Sequence, residues 1–161
     1  MDQKGKALTR LAMAVQFFVP GMPCIYYGDE YGMHGLMDPF NRGAFFENDK
    51  ETYQEVLRLT SLRNREKVLQ TGYALYMEPT ENVLAILRFI SEKKDVFGEA
   101  SENKAILLLV NPTMKKEEIN LDLNKIKEGV NENALQALLK NLSNAVIKAN
   151  VAPIDYKVIE L

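Results

Sequence analysis

Apolar residues recur every three or four positions between residues 6 and 19, and this period predicts an amphipathic helix packed on a sheet. Pro20 and Gly21 end the pattern, because proline fixes φ and lacks a backbone donor. The short apolar run at residues 24–27 then predicts a strand covered on both faces, with Cys24 buried inside it. The chain therefore begins as a helix followed by a strand that ends at Gly28.

A second helical pattern begins at Asn48, where Glu51 lies three residues further on, as in a capping box. Gly72 suits the position just beyond the end of this helix. Its apolar residues form one stripe, so its basic residues predict a solvated opposite face. These are Arg58, Arg63, Arg65 and Lys67.

The period changes after Gly72 from helical to strand-like. Two runs are apolar at almost every position, two more alternate between polar and apolar, and a short piece precedes them. The apolar runs are residues 83–90 and 105–110, the alternating runs are residues 118–123 and 156–161, and the short piece is residues 75–77. Together they predict an antiparallel sheet or sandwich, whereas residues 125–150 predict only a short helix around their leucines. The fold class is α+β.

Polar residues follow the predicted strand in a loop rich in glycine and proline. Asp29 and Glu30 come first and suggest the paired carboxylates of a glycosidase. Neighbouring residues on a strand point to opposite faces, however, and retaining glycosidases hold two carboxyl groups about 5–5.5 Å apart on either side of one bond. We therefore interpret this pair as hydrogen-bond acceptors at the strand end. Of Tyr26 and Tyr27, one is expected in the core and the other near a ligand.

The composition excludes several classes of function. The chain has 161 residues, 47% of them hydrophobic and 26% charged, with a net charge of −2. This balance argues against nucleic acid as a partner, and the broken apolar run near the start is too short to cross a membrane. His34 is the only histidine, and no metal site or cofactor motif is expected. No signal peptide is visible, which slightly favours the cytoplasm, although this says little of a longer parent.

Two motifs carry a resemblance to a known family. The run PGMPCIYYGDEYGM, followed by DPFNR, resembles the α-amylase family of glycoside hydrolases, especially its neopullulanase, cyclomaltodextrinase and amylopullulanase members. The resemblance implies that residues 1–72 form the end of a (β/α)8 barrel, with residues 24–27 as its last strand. It implies that residues 73–161 form the small C-terminal antiparallel β domain, although the last third matches only in general character.

The resemblance also implies which chemistry the chain has. The family's catalytic aspartates and acid/base glutamate lie in motifs upstream of this strand, and none of those motifs occurs here. We therefore expect no catalytic residue in the chain, and we expect Asp38 and Arg42 of DPFNR to contact donor-side sugars of an α-glucan. The alternative for these two residues is a mutual salt bridge that orders the loop.

Two other functions stay open at this point. Besides a fragment of a hydrolase, the chain could be a module that binds maltooligosaccharide without cleaving it. The other alternative is a self-associating protein. The strand at residues 24–27 has no other barrel strand to pair with in this chain. The apolar stripe of the first helix has only part of its barrel partners; it consists of Leu8, Leu11, Val15 and Phe18. We expect self-association through residues 7–30, with folding back onto the β domain as the alternative.

Overall fold

The computed structural model of the chain describes residues 3–33, 35, 37–38, 40–47, 49–126 and 132–161, with Phe40 described in its backbone only. The helices are α1 (Gln3–Phe18), α2 (Lys50–Arg65), α3 (Lys67–Thr71) and α4 (Glu132–Asn141). The strands are β1 (Tyr73–Thr80), β2 (Val83–Ile90), β3 (Lys104–Asn111), β4 (Glu117–Asp122), β5 (Val146–Val151) and β6 (Asp155–Glu160). Within these described ranges, no helix has the length and apolar character needed to cross a membrane.

The strands form two antiparallel sheets. Four of them pair in the order β1-β2-β3-β6, and β4 pairs with β5 in a separate two-stranded sheet. In the larger sheet Leu87 lies opposite both Leu75 and Leu107, and Leu107 lies opposite Ile159. The mixture of helices and antiparallel sheet confirms the expected fold class. The division at residues 72 and 73 stays a prediction.

The two central strands are buried on both faces, which explains their continuous apolar sequences. Ile86 and Leu108 point towards α1, α2 and α3, where they join one hydrophobic core. Leu87 and Leu107 point the other way, into a second core formed with β4, β5 and α4. The larger sheet is therefore the middle layer of three.

Arg88 interrupts the apolar run of β2 and is fully buried, at 0% exposure. Its guanidinium donates hydrogen bonds to the backbone oxygens of Phe18 (2.7 Å), Leu69 (2.9 Å), Gly72 (2.9 Å) and Tyr73 (3.3 Å). Burial, and after it the nearby charge of Arg63, lowers the pKa of Arg88 to about 10. The side chain thus stays charged at neutral pH and joins the ends of α1 and α3 to the sheet.

Arg63 is also buried, so the prediction that it lies on the solvated face of α2 is wrong. Its guanidinium donates to the backbone oxygens of Phe17, Val19 and Gly21, at and just after the end of α1. The last carbonyls of a helix have no donor within the helix, and Arg63 supplies one here. Burial lowers the pKa of Arg63. This residue therefore caps α1 from a neighbouring helix.

The apolar stripe of α1 is largely covered. Leu11 and Phe18 are buried in the core that α1 shares with α2, α3 and the sheet, and Val15 is half-buried. Only Leu8 of the predicted stripe is exposed. Most of the stripe therefore has partners within the chain, because the helix packs onto the sheet; self-association itself stays a prediction.

The predicted strand at residues 24–27 is absent. Residues 22–26 are irregular and residues 27–28 form a turn, and Cys24 is exposed rather than buried. A strand requires a neighbouring strand to pair its backbone groups. The described part of the chain supplies none beside this segment.

The second helix differs from its prediction at both ends. Asn48 lies outside the described residues, and the N-cap is Asp49, whose side chain accepts from the Thr52 N–H at 3.1 Å. The helix then breaks at Glu66, which is extended and separates α2 from α3. Glu66 at this break forms an ion pair with Lys104 of β3, whose Nζ lies 2.6 Å from the Glu66 carboxylate.

The last third contains the predicted helix and an additional strand. The leucines at residues 135–142 lie in or just after α4, which packs on the sheet. The sequence did not predict β5, which pairs with β4 from Val151 opposite Glu117 to Val146 opposite Asp122. The alternating β4 therefore belongs to the smaller sheet, with β5 as its partner.

We predict that Arg88→Leu lowers the free energy of unfolding by at least about 3 kcal/mol, because it leaves three buried carbonyls and one partly buried carbonyl without this donor. Urea unfolding followed by circular dichroism measures the change. Arg65→Leu is the control, since the Arg65 side chain is mostly exposed, and it should cost less than about 1 kcal/mol. Equal stability of Arg88→Leu and the wild type would contradict this role of Arg88.

Candidate functional site

The polar loop between Gly28 and Gly43 contains two short 3₁₀ turns. The first, Asp29–Tyr31, lies between Gly28 and Gly32, which have φ of 89° and 62°. The second is Phe40–Arg42. At Gly35 a Cβ would approach the Cα of Asn41 to 2.6 Å, so a side chain would clash with the backbone there. Glycine at this position allows the two halves of the loop to pack closely.

Asp38 and Arg42 face each other across the second turn. The Nε of Arg42 lies 3.5 Å from Oδ1 of Asp38, and the two side chains are 74% and 68% exposed. An ion pair this exposed contributes little to stability, about 0–1 kcal/mol. The predicted salt bridge is therefore present, and both groups are accessible from solvent. Whether they contact sugar stays a prediction.

A cleft of about 320 Å³ lies beside this pair. Its walls include Tyr26, Tyr27, Asp29 and Phe46, and two backbone neighbours of Arg42, Asn41 and Gly43. The two tyrosine rings lie 4.8 Å apart, and both are exposed, so the expectation that one belongs to the core is wrong. The Tyr27 hydroxyl donates to the Gly43 carbonyl at 3.1 Å, which orients its ring.

Asp29 and Glu30 lie on a 3₁₀ turn rather than at the end of a strand. Glu30 accepts a hydrogen bond from the Gly28 N–H at 2.8 Å, as expected for a local acceptor. Burial raises the pKa of Asp29, partly offset by a hydrogen bond from the Tyr26 backbone and reinforced by the charge of Glu30. Of this pair, only Asp29 contributes to the wall of the cleft.

An aromatic cluster fixes the loop to α2. Tyr31 stacks on Tyr53 with ring centroids 4.6 Å apart, and it meets Phe45 edge-to-face at 5.6 Å. The first turn and the residues after the second turn are thus attached to the same helix. The sequence contains the three aromatic residues, but nothing in their spacing indicates that they meet.

The sequence has relatives among known enzymes, although no family model matches the chain. The amylopullulanase of Thermoanaerobacterium thermosulfurigenes is 36% identical over 124 residues, which are 75% of this chain and 7% of the relative. The maltogenic α-amylase of Bacillus acidopullulyticus is 29% identical over 168 residues, covering 99% of this chain and 27% of the relative. This chain belongs to the α-amylase family.

The fold agrees with that membership along nearly the whole chain. The maltogenic amylase from S. marinus, a solved structure, superposes with a TM-score of 0.67 at 23% identity, covering 96% of this chain and 19% of that one. At this identity the likeness shows the fold alone. The α-amylase-family chain spans about a quarter or less of the lengths of these three proteins.

The remaining sequence predictions for this α-amylase-family chain concern metals and His34. His34 lies outside the described residues. Among the residues that are described, no group of three or more histidine, cysteine, aspartate or glutamate side chains is placed to hold a metal ion.

Asp49 anchors the end of the loop in this α-amylase-family chain, and the sequence analysis did not single it out. Besides capping α2, its Oδ2 lies 2.9 Å from the Nζ of Lys6 on α1. Burial alone would raise the pKa of Asp49, but the hydrogen bonds from Lys6 and Thr52 outweigh it and lower the pKa from 3.8 to about 2. The buried carboxylate therefore joins α1, α2 and the loop.

We predict that Asp49 makes the fold sensitive to acid. Because its pKa is lower in the folded chain, its stabilising effect is complete above about pH 4 and disappears as the pH falls towards about 2. Asp49→Asn keeps a good N-cap but has no charge. Its free energy of unfolding should lie below that of the wild type at pH 5 and approach it near pH 2, as urea titrations at several pH values would measure.

Asp49→Ala is the matched comparison for this prediction, because it removes the cap as well as the charge. It should be about 1 kcal/mol less stable than Asp49→Asn throughout the pH range. A constant difference between the wild type and Asp49→Asn from pH 5 to pH 2 would show that the carboxylate has no lowered pKa.

Proposed function

We propose that this chain is the C-terminal part of an α-glucan-acting glycoside hydrolase. In this proposal residues 1–72 form the end of the catalytic barrel, and residues 73–161 form the C-terminal β domain. The chain contributes a barrel wall and the donor-side sugar contacts Asp38 and Arg42. The catalytic carboxylates belong to residues outside the chain.

The observation that supports the proposal most is the surface of residues 22–46. Several of the large apolar side chains described there are exposed, with Met22 at 92% and Met37 at 85%, whereas β2 and β3 are almost completely buried. Tyr26, Phe45 and Phe46 are about half exposed. A segment rich in aromatic and apolar residues gains most from a neighbouring structure that covers it. Further barrel strands on this side would cover the segment and pair its backbone.

The chemistry of Asp38 and Arg42 suits the proposed contact with sugar. A carboxylate accepts hydrogen bonds from two hydroxyl groups, and a planar guanidinium donates in a fixed fork. Together they would fix the orientation of one ring. Their ion pair is compatible with this role, because each group holds the other in place while both stay exposed.

A second candidate function is a non-catalytic module that binds maltooligosaccharide or self-associates. The cleft with Tyr26, Tyr27 and Phe46 favours the first version, since aromatic rings can pack against sugar rings. The exposed side chains of Met22, Cys24, Tyr26 and Tyr27 favour the second. Multi-angle light scattering at two concentrations separates them, because only self-association raises the molar mass with concentration.

We predict that the purified chain does not hydrolyse pullulan, cyclodextrin or starch, because a glycosidase of this kind needs two carboxylates flanking the bond. Release of reducing sugar measures the activity. Turnover that survives repurification and disappears in Glu30→Gln, but persists in the exposed control Glu78→Gln, would contradict the proposal.

We predict that maltotriose binds at Asp38 and Arg42 only weakly, with a Kd of about 1 mM or higher, because the rest of the cleft is supplied from outside the chain. Nuclear magnetic resonance titration should show this binding as shifts of amides within residues 26–46. Asp38→Ala and Arg42→Ala should each abolish them without lowering stability by more than about 1 kcal/mol.

Lys125→Ala is the control for these variants, because it breaks the ion pair of an exposed lysine with Asp122 in another part of the chain. It should leave the shifts unchanged. A micromolar Kd for the wild type would instead favour the binding module.

A further inference from the structure

We propose that a second cleft, between α1, α2 and the start of β6, binds a neutral oligosaccharide. Its volume is about 620 Å³, within the range of small-molecule sites. Arg10 of α1, Gln54 and Arg58 of α2, and Asp155 and Tyr156 of β6 line it. None of these residues belongs to the cleft beside Asp38 and Arg42. The choice of an α-glucan as ligand rests on the proposed function, but the site itself does not.

The charges around this cleft select a neutral ligand. Two guanidinium groups, Arg10 and Arg58, face three carboxylates, Glu51, Glu55 and Asp155. The three carboxylates would repel an anion, and the two guanidinium groups would repel a cation. A hydroxyl group can donate to a carboxylate and accept from a guanidinium at the same time. A compact polyhydroxylated molecule is therefore the chemical class that uses both.

Part of the hydrogen-bonding capacity of these groups is unused. Arg10 donates through Nη1 to Glu51 at 2.7 Å, and Arg58 donates through Nε and Nη2 to Glu55 at 3.0 and 2.9 Å. Each guanidinium carries five N–H donors, so both keep donors for a ligand. The Asp155 carboxylate forms no hydrogen bond or ion pair with any residue in the described ranges, whereas the Asp155 backbone lies opposite Asn111 in the β3–β6 pairing. The cleft thus offers a free acceptor beside two partly free donors.

The ion pairs also hold the donors in fixed positions. The guanidinium of Arg58 lies over the Tyr156 ring, 5.5 Å from its centre, and also contacts the Tyr156 hydroxyl. Arg58 is therefore held from the α2 side by Glu55 and from the β6 side by Tyr156. A donor already held in place loses less conformational entropy when a ligand binds.

The turn that carries Asp155 is equally well fixed. Ile154, just before it, has a φ of 46°, which is uncommon for a β-branched residue, and its N–H donates to the Thr113 carbonyl at 2.9 Å. The buried amide of Asn111 donates to the carbonyls of Ala152 (2.9 Å) and Lys115 (2.7 Å). These bonds link the connection between β5 and β6 to the connection between β3 and β4. A strained backbone persists only where its surroundings determine it. Asp155 is thus presented on a rigid support.

Nuclear magnetic resonance titration of the whole chain with maltotriose tests the proposal. We expect saturable shifts of the Gln54, Asp155 and Tyr156 amides, in a set separate from residues 26–46. Asp155→Ala should raise the Kd for the Gln54 and Tyr156 shifts about tenfold, since a hydrogen bond to a charged group is lost. Gln54→Ala, an exposed position on α2, is the second variant if Asp155→Ala disturbs the turn. Gln136→Ala on the exposed face of α4 is the matched control and should have no effect.

The charge argument has its own test with three monosaccharides. Neutral glucose should shift the cleft amides at lower concentrations than cationic glucosamine or anionic glucuronate. Preferential binding of either charged sugar would overturn the proposal, as would the absence of shifts at the cleft with maltotriose on the order of 100 mM. Shifts at the cleft without shifts at residues 26–46 would support this site while contradicting the proposed role of Asp38 and Arg42.

Discussion

The fold depends on two buried guanidinium groups that donate their hydrogen bonds to backbone carbonyls instead of to carboxylates. Arg88 and Arg63 both bind carbonyls at the end of α1, and Arg88 also binds those at the end of α3 and the start of β1. The carbonyl end of a helix carries partial negative charge, so it suits a cation. Because burying a charge is costly unless its hydrogen bonds are made, this arrangement requires the helices to end where they do.

This constraint determines how the candidate site begins and ends. Arg63 donates to the carbonyl of Gly21, where the irregular segment starts. At the other end of the segment, Asp49 pairs with Lys6 and caps α2. Between these two points the loop is attached to α2 through Tyr31. The segment that carries Asp38 and Arg42 is thus fixed at its ends and at Tyr31, while Asp38 and Arg42 themselves are exposed. This matches the proposal that another part of a larger enzyme covers it.

The sequence predicted the elements whose signals are local. The limits of β2 follow directly from its apolar run, and α1 follows from its period. The strand at residues 24–27 was mispredicted because an apolar run forms a strand only where a neighbouring strand pairs its backbone, and the described part of the chain places none beside this segment. Arg63 and the break at Glu66 were missed because their partners lie far away in sequence, at Phe17 and Lys104. Asp38 and Arg42 could be selected only through the DPFNR motif, whereas the cleft at Asp155 is formed by three elements that no local pattern connects.

The middle position of the larger sheet has a consequence for how the chain unfolds. β2 and β3 supply one face to the helices and the other to α4 and the smaller sheet, so each outer layer packs on the same two strands. Removing either layer would expose a complete face of apolar side chains to water. The two layers are therefore coupled through these strands, and we expect the backbone amides of β2 and β3 to exchange with solvent only when the whole chain unfolds.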